Sequence, residues 1–187
     1  MSDAVSALNG AMYDGFAKVR EIGPLGMISL RARPDLPGLA EAVRAVTGTD
    51  LPGVRRIVTH EGRAAGWMSP DEYLLILPYE DVSATLALID KALTGQHYLA
   101  VAVSDARAVF RIEGAKAAQV VAKLSPVDLP RMEPGELRRT RAAQVAAAFW
   151  AEGEGAGGGY TLVCFRSVAP YVMGLLTHSA MPGSELF

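Results

Sequence analysis

Apolar and polar positions along this chain repeat with two periods, and the switches between them mark out its elements. Residues 1–24 are small, polar and broken by Gly and Pro, and read as an N-terminal arm. "LGMISLRAR" (25–33) alternates apolar and polar positions, which predicts a half-buried strand. After Pro34 and Pro37, "GLAEAVRAV" puts Leu39, Val43 and Val46 on one helical face. "VRRIVTHE" (54–61) predicts the next strand. A turn at Ser69-Pro70-Asp71 then leads into an apolar strand ending at Pro78. "DVSATLALIDKALTG" predicts a helix capped by Asp81 or Ser83 and stopped at Gly95, with Val82, Leu86, Ile89 and Leu93 in a stripe. "HYLAVAV" returns as a strand.

The second half repeats this order. "ARAVFRIEG" (106–114) predicts a strand, and "AKAAQVVAKL" a helix with Ala118, Val121 and Leu124 inward. "SPVDLPRMEPGELRRT" reads as a long connection. "RAAQVAAAFWAEG" and "GGYTLVCFR" follow as strands joined by the Gly-rich "EGEGAGGG". Ser167 is placed to cap a last helix, "VAPYVMGLLTHSA", with Pro170 in its first turn. Strand–helix–strand–strand–helix thus occurs twice, with an extra strand between the copies. The expected fold is α+β: two ferredoxin-like split βαβ halves, about 25–103 and 104–180, within one domain spanning 25–187. Helices cover one face of a mostly antiparallel sheet.

Composition narrows the function. The 187 residues carry a formal net charge of −2, which gives no reason to expect a nucleic-acid surface. No apolar run approaches the roughly 20 residues that span a bilayer, and the N-terminus lacks the basic-then-apolar order of a signal peptide. One cysteine, Cys164, permits no internal disulfide and suits a reducing compartment. The expected setting is cytoplasmic, away from nucleic acid and membrane.

The chemistry-bearing residues are few. The Gly-rich segment lies between two strands and lacks Gly-Lys-Ser/Thr, so it reads as a hairpin loop rather than a phosphate loop. His60, His97 and His178 lie far apart without the local pairing usual in metal sites. Cys164 occupies a buried-strand position and reads as an inert core thiol. Two readings stand for Asp105: a base, if buried beside a substrate amine, or a turn-former after Ser104. Arg138, Arg139 and Arg141 suit either an anionic partner or a solvated strand edge. Trp67, Met68, Trp150 and Tyr171 suit either a partner surface or the core.

"SDARAVFRIEGAKAAQVVAKLSPVDL" resembles a hallmark stretch of the folate-binding aminomethyltransferase superfamily, with Gly114, Ala117, Ala118 and Val127-Asp128-Leu129 in its characteristic places. "WMSPDEYLLILP", "RRTRAAQVAAAFW" and "YTLVCFRSVAPYVMGLL" resemble segments of one branch, the gamma subunits of heterotetrameric sarcosine oxidases. The likeness runs over about residues 25–180. The pattern departs at Met68-Ser69-Pro70 and Tyr73, and at Asp105, where the acid follows the serine instead of preceding it.

The resemblance implies an aminomethyltransferase-like fold and a place in a complex that demethylates sarcosine to glycine. The one-carbon unit then passes to tetrahydrofolate or leaves as formaldehyde. It implies alpha, beta and delta subunits as partners. FAD, FMN, NAD, tetrahydrofolate and zinc are expected on those subunits, and this chain would hold no cofactor, metal or active site. The partner surface would use Trp67, Met68, Arg138, Arg139, Trp150 and Tyr171. The rival reading is a free-standing folate-dependent one-carbon transferase. A third, an iron–sulfur maintenance branch, requires a Lys-Gly-Cys motif, and Cys164 lies between Val163 and Phe165.

Overall fold

The computed structural model describes residues 4–153 and 158–187, so the middle of the expected Gly-rich hairpin loop, 154–157, lies outside the described residues. The chain divides into two units. One is Leu25–Ser104; the other joins the N-terminal segment through Pro24 to Asp105–Phe187.

The contiguous unit holds β3 (Gly26–Arg31), α1 (Leu39–Thr47), β4 (Ile57–His60), β5 (Arg63–Ser69), β6 (Glu72–Leu77), α2 (Val82–Ala92) and β7 (Leu99–Ala102). Its antiparallel sheet runs β4-β5-β6-β3-β7. This is the ferredoxin-like order with β4 added at one edge. Ile28 and Leu30 of β3 and Tyr73, Leu75 and Leu77 of β6 face the helices, where Leu39, Val43, Val46, Ile89 and Leu93 complete a buried cluster. The α1 stripe is as the sequence predicts. In α2 the fully buried positions are Thr85 and Ile89, while Val82 and Leu86 are only half-buried.

Neither Asp81 nor Ser83 caps α2 with its side chain. A 3-10 turn over Tyr79–Asp81 runs directly into the helix, and Asp81 instead accepts from Arg63 Nη2 at 2.5 Å. Hydrophobic periodicity does not mark β5. Its residues, "RAAGWMS", are weak β-formers, and pairing with β6 makes the strand. The β4–β5 turn, Glu61-Gly62, has φ of 46° and 79°, a two-residue turn with both residues left-handed.

The other unit holds β1 (Met12–Asp14), β2 (Lys18–Ile22), β8 (Arg107–Glu113), α3 (Ala117–Ala122), β9 (Leu137–Ala142), β10 (Val145–Ala151), β11 (Tyr160–Phe165) and α4 (Ala169–Ser179). Its antiparallel sheet runs β1-β2-β8-β11-β10-β9. The expected N-terminal arm is therefore two strands. β2 pairs with β8 from Lys18↔Glu113 to Ile22↔Val109 and fills the place that β7 fills in the contiguous unit. The alternation of "KVREI" is concealed because one of its inward positions is a carboxylate, Glu21, which is 5% exposed.

Three further differences follow from sheet pairing and turn geometry. "LRRTRA" is the edge strand β9 rather than the end of a loop, paired with β10 from Leu137↔Trp150 to Ala142↔Val145. The buried side of α3 carries Ala117, Val120 and Val121, because the helix starts later than expected and ends at Ala122. Ser167 lies within a 3-10 turn, Arg166–Val168, and makes no side-chain cap for α4, although Pro170 does sit in the first turn. Phe110, Ile112, Phe149, Tyr160, Leu162, Val172 and Leu176 centre this unit's buried cluster.

Gly15 closes the N-terminal segment onto the end of α4. A Cβ there would lie 1.9 Å from the Ala180 carbonyl oxygen, which accepts from Phe16 N at 2.9 Å.

The internal repeat is sharpest over strand, 3-10 turn and helix. β6, Tyr79–Asp81 and α2 match β11, Arg166–Val168 and α4, with turn and helix at one offset and the strand bounds a single position away from it. Tyr73 thus corresponds to Tyr160, Leu75 to Leu162 and Ile89 to Leu176, all buried.

Candidate functional site

Strand alternation in the six-stranded sheet sends Phe110, Ile112, Leu162 and Phe149 toward the helices. Positions of the other parity carry polar residues in register: Arg20 lies opposite Arg111, Arg111 opposite Thr161, and Thr161 opposite Trp150. Directly opposed residues share a face, so these side chains meet. Arg20 grips Glu113 with two parallel bonds, Nε to Oε2 and Nη2 to Oε1, each 3.1 Å. Arg111 Nη1 donates to Thr161 Oγ1 at 2.7 Å and pairs with Glu152, while its Nε lies 3.8 Å from Glu113. Glu152 Oε1 also accepts from Thr161 Oγ1 at 2.6 Å and from the Trp150 indole N–H at 2.9 Å.

Two guanidiniums thus neutralise two carboxylates in a half-buried network. The Arg20 hydrogen bonds hold the Glu113 carboxyl below its ordinary range, and the charges of Arg20, Arg111 and Lys18 add to this against the opposing effect of burial. The same bond raises the Arg20 pKa. A general base works best with a pKa near the operating pH, and Glu113 is shifted the other way. The network suits holding strands in register and presenting a fixed charge pattern. Only Trp150 among these residues was singled out in the sequence. The signal for Arg20, Arg111, Glu113 and Thr161 was polar residues on the outward parity of "KVREI", "AVFRIE" and "YTLVCF".

The remaining sequence candidates scatter. Trp150 is buried and its N–H is committed to Glu152, so it serves the network rather than an outer surface. Arg138 and Arg139 lie on β9; Arg138 is half-buried and ion-paired to Glu136, and Arg139 is exposed. Tyr171 is exposed on α4. Trp67 and Met68 are half-buried on β5 in the other unit, at a register shift between Trp67 and Ser69.

Asp105 is exposed in a 3-10 turn, Ser104–Ala106, and lacks the burial the base reading required. Cys164 is buried, and its thiol is pushed up to about 12 by burial, with Arg107 opposing and Glu21 adding. It is therefore no thiolate at neutral pH. His60, His97 and His178 are each exposed, and no group of three or more His, Cys, Asp or Glu among the described residues is placed to hold a metal ion. No helix among them is long and apolar enough to cross a membrane.

The contiguous unit carries a cleft of about 450 Å³ between the end of α1, the β4–β5 turn and the side of α2. Arg63 spans it, donating to Val46 O at 3.1 Å as well as to Asp81.

Two ferredoxin-like units, each an antiparallel sheet with its helices packed on one face, define the class of fold. Residues 31–180 match the family described as sarcosine oxidase, gamma subunit, and the chain belongs to that family. The sarcosine oxidase subunit gamma of Corynebacterium sp. (strain U-96) is 34% identical over 140 residues, covering 73% of this chain and 67% of the relative. The counterpart from Arthrobacter sp is 33% identical over 144 residues, covering 75% of this chain and 70% of that one.

Among solved structures, a chain of the heterotetrameric sarcosine oxidase from Corynebacterium sp. U-96, in complex with pyrrole 2-carboxylate, superposes with TM-score 0.78. It is 27% identical, over 88% of this chain and 83% of that one. The glycine cleavage system aminomethyltransferase T from Bartonella henselae shares the fold, with TM-score 0.60 and 14% identity over 83% of this chain and 44% of that one. The expected aminomethyltransferase-like architecture is therefore present.

Proposed function

We propose that this chain is the gamma subunit of a heterotetrameric sarcosine oxidase, an assembly component without an active site of its own. The carrying observation is the superposition on a chain of the Corynebacterium heterotetramer over most of both chains, together with family membership across residues 31–180. The paired network of Arg20, Glu113, Arg111 and Glu152 supports the reading, because Arg20 holds the Glu113 carboxyl below its ordinary range and the network ties four strands together. On this proposal the alpha, beta and delta subunits are the partners. They would carry FAD, FMN, NAD, tetrahydrofolate and zinc, oxidise sarcosine and dispose of the one-carbon unit. This chain would stabilise or assemble them in the cytoplasm. Among the sequence candidates, Trp67, Met68, Arg139 and Tyr171 keep enough exposure to take part in that interface, and half-buried Arg138 is next to Arg139 on β9.

The test is a tagged pull-down from the native host with a visible absorption spectrum of the eluate. Flavin bands with larger chains in fixed stoichiometry are expected. A colourless, solitary chain that binds folate would overturn the proposal in favour of a one-carbon transferase.

A further inference from the structure

The internal repeat provides a comparison that the rest of the sequence does not. In the discontinuous unit, β2 occupies the outer place beside β8, and β1 covers its open edge. Tyr13 pairs with Val19, and the N–H of Glu21 donates to Ala11 O at 2.8 Å. In the contiguous unit β7 occupies the same place beside β3, and the sheet ends there. The correspondence is residue by residue. Val19 and Glu21 lie opposite Ile112 and Phe110, and Ala100 and Ala102 lie opposite Leu30 and Ile28.

The ladder phase fixes which groups the β7 edge offers. Val103 N donates to Met27 O at 2.8 Å, while Met27 N donates to Ser104 Oγ at 2.9 Å, and this phase makes Ser29–Val101 and Arg31–Leu99 the pairs that exchange hydrogen bonds. The N–H and C=O groups of Ala100 and Ala102 therefore point away from β3, on the side where β7 meets no second strand among the described residues. β7 also lacks the usual edge protection. Its sequence, "LAVA", has no charge, proline or bulge, and Leu99 and Val101 are 54% and 43% exposed. β9, an edge of the other sheet, carries Arg138, Arg139 and Arg141.

We propose that β7 is a strand-addition site for an extended segment of another subunit of the complex, which bonds antiparallel to Ala100 and Ala102 as β1 bonds to Val19 and Glu21. The occupant is uncharged and apolar at alternate positions. Where Lys18 faces Asp14 in the twin, β7 presents Leu99. A four-residue edge falls far short of the roughly 800 Å² per partner that stable association buries. The segment therefore belongs to a folded partner with further contacts, not to a free peptide. This inference rests on the chain being a subunit of a complex.

The test is backbone amide exchange on the intact purified complex. Ala100 and Ala102 amides are expected to exchange as slowly as those of Leu99 and Val101, which are bonded inside the sheet. Rapid exchange at Ala100 and Ala102 with slow exchange at Leu99 and Val101 overturns the proposal, while the complex itself would still stand. Recovery of the chain without partner chains would instead sink the subunit reading. A complex holding two copies of this chain joined at β7 also overturns it, in favour of self-pairing.

Ala102→Pro removes an N–H unused within the chain, which an edge strand tolerates. About ten-fold weaker retention in the complex is expected, against none for Val58→Lys on the far edge strand β4. If the proline variant fails to fold, the exchange measurement on the native complex still decides.

Discussion

Glu21 is a carboxylate set almost wholly inside the protein, and its environment fixes what removing it will do. It accepts from Ser6 Oγ at 2.8 Å, Leu8 N at 3.0 Å and Gly10 N at 2.9 Å, and so ties the segment before β1 to β2. Hydrogen bonds to a charged group contribute about 1.5–3 kcal/mol each. Their full sum is not lost in Glu21→Ala, because the freed amides gain water when residues 5–10 lift away. Arg166 still holds Val5 O at 2.9 Å and Ser6 O at 3.2 Å. The expected destabilisation is about 2–4 kcal/mol, near the upper end for a single site. In a protein of this size it lowers Tm by about 5–15 °C.

Glu21→Gln keeps one acceptor oxygen but turns an NH₂ toward the remaining donors, so it should fall about midway. Ser6→Ala should cost little more once Glu21 is already Ala, since both changes break the same contact. Thermal unfolding of the parent, the three single variants and the Ser6→Ala/Glu21→Ala double variant, with amide exchange at Leu8 and Gly10, checks the set. A Tm for Glu21→Ala within about 1 °C of the parent, or unchanged protection at Leu8 and Gly10, would refute the argument.

Two more outcomes follow from single contacts. Tyr160 is fully buried and its hydroxyl has no hydrogen-bond partner among the described residues, while its ring meets Phe149 edge-on at 6.1 Å. Tyr160→Phe keeps the ring contact and removes an unpaired polar group, so stability should rise by about 1 kcal/mol in urea unfolding; a loss of that size would show that the hydroxyl is bonded. Glu113 has its pKa lowered in the folded state by Arg20, so its contribution is present above the unfolded carboxyl's pKa and is lost as pH falls through the folded value. Glu113→Gln should therefore melt below the parent at pH 7, with the gap closing as pH falls below the ordinary glutamate range; a gap that stays constant with pH would contradict the pairing.

The contiguous unit was largely legible because its strands and helices carry complete apolar periods. Leu39, Val43 and Val46 fell where the helical repeat put them. What stayed hidden was polar or small in a place where pairing, not composition, makes the strand. β5 is Ala- and Gly-rich, β9 reads as three arginines, and β2 conceals a buried glutamate among its inward positions. The network on the six-stranded sheet was hidden for a related reason. Arg20, Arg111 and Glu152 lie far apart along the chain, and only the register of β2, β8, β11 and β10 brings them together. The family likeness came from ordered local segments, which is why it survived the missed strands.

The use of β2 as the strand that completes the second sheet bears on how the chain is made. Residues 25–104 contain every strand of their own sheet and can close as soon as they leave the ribosome. The first strands to emerge cannot: Arg20 finds Glu113 across 93 positions, and the sheet is complete only when β11 has followed. The β1–β2 segment therefore waits, unpaired, until β8 to β11 have been made, and segments on either side of the contiguous unit decide together when their shared sheet can fold.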